Sequence, residues 1–424
     1  MEMLAEVPLR TNNILEDYRR LSGEPLGALR KKARSLKNVP IIHINATRKG
    51  GGVAELLESQ VPFERALGLR SRWFTLQADR YFFGVTKKIH HLLQGGANTL
   101  TDKERRSYRE VQENLVPALR RITKGIMRGV VVIHDPQPLL LVGGIGNRAA
   151  GILRLHVDLS RPNAETLGMF EPFINQFDRV VVSSRRYRDC FLWKEHPRLS
   201  VIAPAINPIL PKNRPMPIDT ARLLLTNFGV NCTRPFAVQV SRFDVWKDPI
   251  GVVDAYYEAK NAIPSIQLVL AGFDAAVDDP EAGNIFAKLK KYSAGDRDIH
   301  LFFNPKQLKQ CSHDTFINAL YSAADVVFQK SLKEGFGLTI TEAMWKGKPV
   351  IAGDTEGARL QITNGKNGII VASPKAAGRA LVRLLKNKTL RERLGRNAHR
   401  SVAKKFLFGR YIREHLQLYT AVLR

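Results

Sequence analysis

A proline-dense stretch at 204–217, PAINPILPKNRPMP, has a regular strand–helix alternation on either side of it. Proline fixes φ and lacks an N–H, so such a run extends neither a helix nor an inner strand, and it reads as an interdomain linker. Upstream, 40–47 (PIIHINAT) is short, apolar and β-branched, which suits a buried parallel strand. It meets Gly50-Gly51-Gly52 and then a helix whose apolar side carries Val53, Leu56, Leu57, Gln60 and Glu64, with Gly68 at the expected C-cap. Pro62 lies inside this helix and is expected to kink or divide it. A basic helical segment is expected at 11–37. Strand character returns at 71–77, 129–134, 151–157, 179–183 and 200–203. Beyond the prolines it restarts at 236–241, 266–271, 299–303, 325–329 and 349–352, with helices near 248–262, 314–323 and from about 338. Two such series imply an α/β chain of two doubly wound, Rossmann-like domains facing a deep cleft.

Length agrees, because 424 residues exceed what one hydrophobic core serves. With 44% hydrophobic and 25% charged residues the chain reads as globular. No apolar run approaches the ~20 residues that span a bilayer, and the start, MEMLAEVPLRTNNILEDY, lacks a secretory pattern. Cys190, Cys232 and Cys311 are far apart without metal-ligand spacing, as for ordinary thiols in a reducing compartment, so a cytoplasmic location is expected. The net charge of +27 would attract anions in general. Its carriers are dispersed, as in Arg30, Lys31, Lys32 and Arg34, or Arg185, Arg186 and Arg188, and suit solvated faces. Helix-turn-helix patterning, RNA-binding aromatic motifs and zinc fingers are lacking, so no specific nucleic-acid partner is expected. Random duplex DNA should bind weakly, with an affinity that collapses as salt rises.

The segment 325–353, DVVFQKSLKEGFGLTITEAMWKGKPVIAG, reads strand, loop, helix, tight turn, strand. Gly335 and Gly337 stand just before Leu338 opens the helix, where unpaired N–H groups and the helix dipole favour a phosphate. Glu334 lies in the loop and Glu342 about one turn into the helix, where a carboxylate can accept two vicinal hydroxyls. Taken singly, either glutamate is ordinary surface; the combination is specific. His156 and Asp158 follow one strand, Asp135 and Gln137 another, and Arg242 and Lys247 follow a third at the carboxyl edge of its sheet. The triple glycine resembles a phosphate-binding turn but lacks the G-x-G-x-x-G spacing and an acidic partner, which argues against a dinucleotide-dependent dehydrogenase.

EGFGLTITEA, with its glutamates at 334 and 342, resembles the signature of the large retaining glycosyltransferase family with the two-domain GT-B fold, to which glycogen and sucrose synthases belong. Within it the chain resembles trehalose glycosyltransferring synthases over nearly its whole length: HINAT with GGGVAE at 43–55, HDPQP at 134–138, HVDLSRPN at 156–163, SRFDVWKD at 241–248 and EGFGLTITEAMWKGKPVI at 334–351. The resemblance implies an acceptor-side domain at 1–207, with a final helix at about 408–424 packing back on it, and a nucleotide-sugar domain at 208–407. It implies transfer of glucose, with retention, from ADP-, UDP- or GDP-glucose to free glucose, giving trehalose, in a reversible reaction. No tightly bound cofactor or metal site is implied, although Mg2+ could accompany the nucleotide. Homodimerisation is allowed for.

Carried over by position, Arg242 and Lys247 would face the donor diphosphate, Glu334 the glucose hydroxyls and Glu342 the ribose. The N–H groups of Phe336, Gly337 and Leu338, with Gly51 and Gly52, would also serve the donor. His156 would contact the transferred glucose and support its developing charge through the backbone carbonyl, while Asp135, Gln137 and Asp158 would serve the acceptor. One departure stands out: where relatives carry a Gly-Gly pair, this chain reads Gly353-Asp354-Thr355-Glu356-Gly357. Three alternatives remain: a trehalose phosphorylase, transfer to another sugar or sugar phosphate, and a non-catalytic polyanion-binding protein.

Overall fold

The computed structural model describes residues 3–9, 13–49, 51–191, 198–273, 281–309 and 311–424. The chain divides into two compact units, Met1–Pro204 with Phe408–Arg424, and Ala205–Leu407.

The first unit holds a seven-stranded sheet of β1 (Leu4–Glu6), β2 (Pro40–Asn45), β3 (Arg70–Leu76), β4 (Gly129–His134), β5 (Ala149–Arg154), β6 (Arg179–Val182) and β7 (Leu199–Val201). Its order is β1-β3-β2-β4-β5-β6-β7, parallel except for the β1·β3 pair. Every residue of β4 is buried, which is why GVVVIH carries no polar alternation. Ile42, Ile44, Val131, Ile133, Leu153 and Val182 form part of one continuous core. The helix Gly52–Ala66 runs through Pro62 as one element, so the expected division does not occur. Tertiary packing prevails over the lost N–H, since every residue from Ser59 to Glu64 is buried. The helical character expected at 11–37 is carried by two helices, Ile14–Ser22 and Gly27–Ala33, the first ending at Gly23, which takes φ +71° as the C-cap. The last helix, Phe408–Val422, buries Tyr411, His415 and Tyr419 in this unit. Its Tyr411 hydroxyl donates to Gln60 Oε1 at 3.1 Å, and that of Tyr419 to Glu64 Oε1 at 3.0 Å.

The second unit is an all-parallel sheet of β8 (Phe236–Val240), β9 (Gln267–Ala271), β10 (Ile299–Phe302), β11 (Val326–Gln329), β12 (Val350–Gly353) and β13 (Ile369–Val371). Its order is β10-β9-β8-β11-β12-β13. The proline-dense stretch is not a bare tether. Asn318 Nδ2 donates to the carbonyls of Pro211 at 2.7 Å and Arg214 at 3.0 Å, and Trp345 Nε1 to that of Asn213 at 3.0 Å. In open parallel sheets ligands bind beyond the carboxyl ends of the strands where the order reverses. Those points are β2/β4 in the first unit and β8/β11 in the second. Among the described residues no helix is long and apolar enough to cross a membrane.

Candidate functional site

In the second unit the segments after β8 and β11 lie side by side at the switch point. After β8 the chain turns through a short 3-10 segment, Val245–Lys247, capped by Asp244, whose Oδ1 accepts from the N–H of Trp246 at 2.9 Å and of Lys247 at 3.1 Å. Asp244 Oδ2 lies 3.0 Å from the guanidinium of half-exposed Arg242, so one buried carboxylate orients both the turn and the cation. Lys247 reaches across to β11's loop, with Nζ 2.6 Å from Glu334 Oε2. That oxygen also accepts from Ser331 Oγ at 3.2 Å and Gln329 Nε2 at 3.3 Å. Gln239, near the end of β8, donates to the Lys247 carbonyl at 2.9 Å and accepts from the N–H of Lys330 at 3.0 Å, stapling the two segments together. Sequence reasoning missed Lys330, whose buried ammonium is paired with Asp248, the residue that caps the next helix through its other oxygen.

Phe336 is buried, and Gly337 takes φ +83°, where a side chain would be strained. It caps the helix Leu338–Trp345 without any side-chain hydrogen bond to the first turn. The loop is held from behind by Gln361, whose Nε2 donates to the Phe336 carbonyl at 2.6 Å. Glu342 is 1% exposed and sits 2.6 Å from Lys212 Nζ, a cation from the proline-dense stretch that sequence reasoning also missed. The divergent segment 353–357 packs on the signature loop. A Cβ on Gly357 would lie 2.7 Å from the carbonyl oxygens of both Glu334 and Phe336. The segment is pressed against the signature loop, and glycine at 357 is what permits it.

In the first unit Gly51 caps the helix Gly52–Ala66, again without a side-chain hydrogen bond. Its φ of −169° is ordinary extended backbone, and a Cβ there would meet nothing within 4 Å, so packing does not demand glycine. Gly50 lies outside the described residues. Asp135 follows β4 with φ +63°, an αL position that aspartate tolerates. Its Oδ1 accepts from the N–H of His156 at 2.6 Å, tying the end of β4 to the end of β5. Asp158 is buried and accepts from the N–H of Ser160 at 2.8 Å, and Gln137 is half-buried beside them. The structure thus gathers Asp135, Gln137, His156 and Asp158 at one sheet edge, with Gly51 after the neighbouring β2.

Burial pushes the Asp135 carboxyl up to about 6, against the pull of the His156 N–H and the Arg154 charge. Between the ordinary aspartate value and about 6 the folded state therefore holds a proton that the unfolded chain releases, and stability falls as pH rises through that window. Asp135→Asn keeps the acceptor oxygen and removes the titration. It is expected to raise the Tm at pH 7.5, by up to about 3 kcal/mol of stability, and to leave Tm nearly unchanged at pH 4. A pH series of thermal melts checks this; an equal shift at both pH values would contradict it.

Residues 43–189 match the trehalose synthase N-terminal domain, and residues 226–401 the group 1 glycosyl transferases. A trehalose synthase of Rubrobacter xylanophilus is 40% identical over 96% of this chain and 97% of its own. One of Thermococcus litoralis is 36% identical over 95% and 96%. A trehalose phosphorylase of Pleurotus pulmonarius is 26% identical over 84% of this chain but 54% of its own length. Among solved structures, sucrose-phosphate synthase of Thermosynechococcus elongatus superposes with a TM-score of 0.70 at 19% identity, covering 91% of this chain and 99% of the other. The Anabaena protein HepE in complex with UDP-glucose gives 0.66 at 16%, covering 91% and 100%. At these identities the structures attest the two-sheet GT-B fold.

Proposed function

Since this chain belongs to the trehalose synthase family of GT-B glycosyltransferases, we propose that it is a cytoplasmic enzyme moving glucose, with retention, from a nucleoside diphosphate to free glucose to form trehalose. The observation that carries the reading is the cluster of Arg242, Lys247, Glu334 and the glycine-capped start of Leu338–Trp345 at the β8/β11 switch point. Two cations and a helix N-terminus offer a diphosphate the charge it needs, and the neighbouring Glu334 offers sugar hydroxyls an acceptor.

In this reading the bond from the glucose C1 to the diphosphate oxygen breaks, and its electron pair stays on that oxygen. The acceptor hydroxyl oxygen bonds C1 on the same face, and its proton passes to the departing diphosphate oxygen. The state between is oxocarbenium-like. Arg242 and Lys247 stabilise the charge growing on the diphosphate. The carbonyl of His156 supports the positive sugar, while Asp135, Gln137 and Asp158 receive the acceptor. Gly51 and Gly52 let the donor approach the backbone. Glu342, its direction fixed by Lys212, holds the ribose. HepE binds UDP-glucose, and UDP-, ADP- and GDP-glucose are the donors to compare.

The phosphorylase relatives supply the competing reading, in which inorganic phosphate replaces the nucleotide. The reverse reaction separates the two. Trehalose with UDP, ADP or GDP is expected to give the corresponding nucleotide glucose. Formation of glucose 1-phosphate from trehalose and phosphate, with no reaction of the nucleotides, would overturn the proposal. Glu342→Ala is further expected to raise donor KM more than it lowers kcat, because the ribose is remote from the reacting carbon. Steady-state kinetics with each donor reads this directly.

A further inference from the structure

Three imidazoles and a carboxylate stand in one hydrogen-bonded row through the first unit, and the proposed transfer leaves their side chains unused. Glu64, on the helix Gly52–Ala66, has Oε2 3.1 Å from His43 Nε2 in β2. His43 Nδ1 lies 3.0 Å from His134 Nε2 at the end of β4. His134 Nδ1 lies 3.1 Å from His156 Nε2, just past β5. Glu64, His43 and His134 are buried, whereas His156 is partly exposed, and its Nδ1 has no hydrogen-bond partner among the described residues. The row therefore leads from the candidate acceptor edge to a closed interior and ends there.

The proton positions follow from the ends. Glu64 accepts at Oε1 from Gln60 Nε2 at 2.8 Å and the Tyr419 hydroxyl at 3.0 Å, and at Oε2 from the Ser71 hydroxyl at 2.7 Å, besides His43. Burial opposes its charge, but His43 and these donors outweigh it and hold the carboxyl below the ordinary glutamate value. An ionised carboxylate only accepts, so His43 carries a proton on Nε2. If all three rings are neutral, His43 Nδ1 accepts from His134 Nε2–H, and His134 Nδ1 from His156 Nε2–H. The lone pair of the row then falls on His156 Nδ1. One added proton reverses every link: Nδ1 of His156 gains it, the Nε2 proton of His156 passes to His134 Nδ1, and that of His134 passes to His43 Nδ1. The charge then rests on His43, beside Glu64.

We propose that Glu64, His43, His134 and His156 form a proton relay, in which a proton taken up at His156 Nδ1 comes to rest as the buried His43–Glu64 ion pair. Burial and the surrounding charges hold both His134 and His156 well below the ordinary histidine range, so neither is the place where charge stays. The charged and titratable groups around the row point the same way. Arg154 on β5 opposes a positive His134 or His156, while burial holds His415 on the last helix down to about 3, so that it stays neutral beside the row. Asp135 is tied to the His156 backbone, and Tyr411 and Tyr419 pack with their hydroxyls toward Gln60 and Glu64. Within the proposed transfer, such a relay would make His156 Nδ1 an acceptor for a sugar hydroxyl; this use rests on that reading, whereas the relay itself does not.

The test is ring-nitrogen NMR of the full chain labelled with 15N-histidine and free of substrate, so a failed transfer assay and a failed relay are distinguished. Each of the ten histidines is assigned by single replacement. Titration between about pH 5 and 8 is expected to show His156 exchanging its proton from Nε2 to Nδ1 without ever carrying two. The second proton that accompanies this exchange is expected on the His43 ring. Glu64→Gln should abolish the doubly protonated state of His43 and the exchange at His156 together. His134→Phe, which keeps an aromatic ring between the other two while removing both nitrogens, should abolish the exchange with Glu64 in place, and serves should Glu64→Gln fail to fold. A doubly protonated His156 in the native chain, an exchange that survives His134→Phe, or three rings that do not titrate at all would each overturn the relay.

Discussion

Arg242→Ala and Lys247→Ala are each expected to lower kcat by at least ~10²-fold, with a smaller change in donor KM. The expectation rests on when each charge matters. Negative charge on the departing diphosphate grows as the C1–O bond breaks, so a cation placed for it contributes more in the transition state than in the donor complex. Both cations are already oriented, Arg242 by the buried Asp244 and Lys247 by Glu334, so little reorganisation accompanies the reaction. Lys247→Ala has a second consequence, because it removes the cation beside a nearly buried glutamate that would keep only its neutral donors Ser331 and Gln329 among those described above. Thermal melts must therefore separate misfolding from lost chemistry, and Lys247→Met, which keeps the length without the charge, is the companion variant. Near-normal kcat in both alanine variants would place the diphosphate elsewhere and remove the site assignment.

Gly353→Ala is expected to damage fold and activity together. A Cβ at this position would lie 2.0 Å from the carbonyl oxygen of Ser331 and 3.2 Å from the carbonyl carbon of Lys330. The atoms in the way are backbone, so the clash is relieved only by moving β12 or the loop that carries Lys330, Ser331 and Glu334. Forcing an extra carbon into such a contact costs about 1–3 kcal/mol. A displacement of the loop by about 1 Å is enough to cost about 10²-fold in rate when the groups it carries must meet a reacting centre. Gly168→Ala is the control, since it lies in the helix Ala164–Ile174 with nothing within 4 Å of the added carbon. It should leave the rate intact and raise the Tm slightly. Comparable losses in both variants would mean that the close approach at Gly353 is not what holds the loop.

Much of the fold was legible because parallel strands buried on both faces announce themselves as unbroken apolar runs: GVVVIH at β4 needs no partner to be recognised. Short edge strands do not. β1 (LAE) exists only by pairing antiparallel with β3, and β13 (IIV) only by pairing with β12, and three residues carry no period. Around the site, residues at strand ends were readable from position, as Arg242, Glu334 and His156 show. Those supplied from a distance were not. Lys212 stands 130 residues before Glu342, in a stretch read as a linker, and nothing local marks it as that carboxylate's partner. The row from Glu64 to His156 joins a helix, the inside of β2 and the ends of two further strands, and each histidine alone resembles an ordinary core residue. Pro62 shows the converse, a local signal overridden because the residues around it are buried.

Product identification tests the central claim most directly. The protein is incubated with nucleotide glucose and unlabelled glucose, in buffer without inorganic phosphate, and both the disaccharide and the nucleotide are identified. Formation of α,α-trehalose in step with nucleoside diphosphate release is the predicted result. No disaccharide from any of the three nucleotide sugars, or one that forms only when phosphate is added or glucose is replaced by another acceptor, would contradict it.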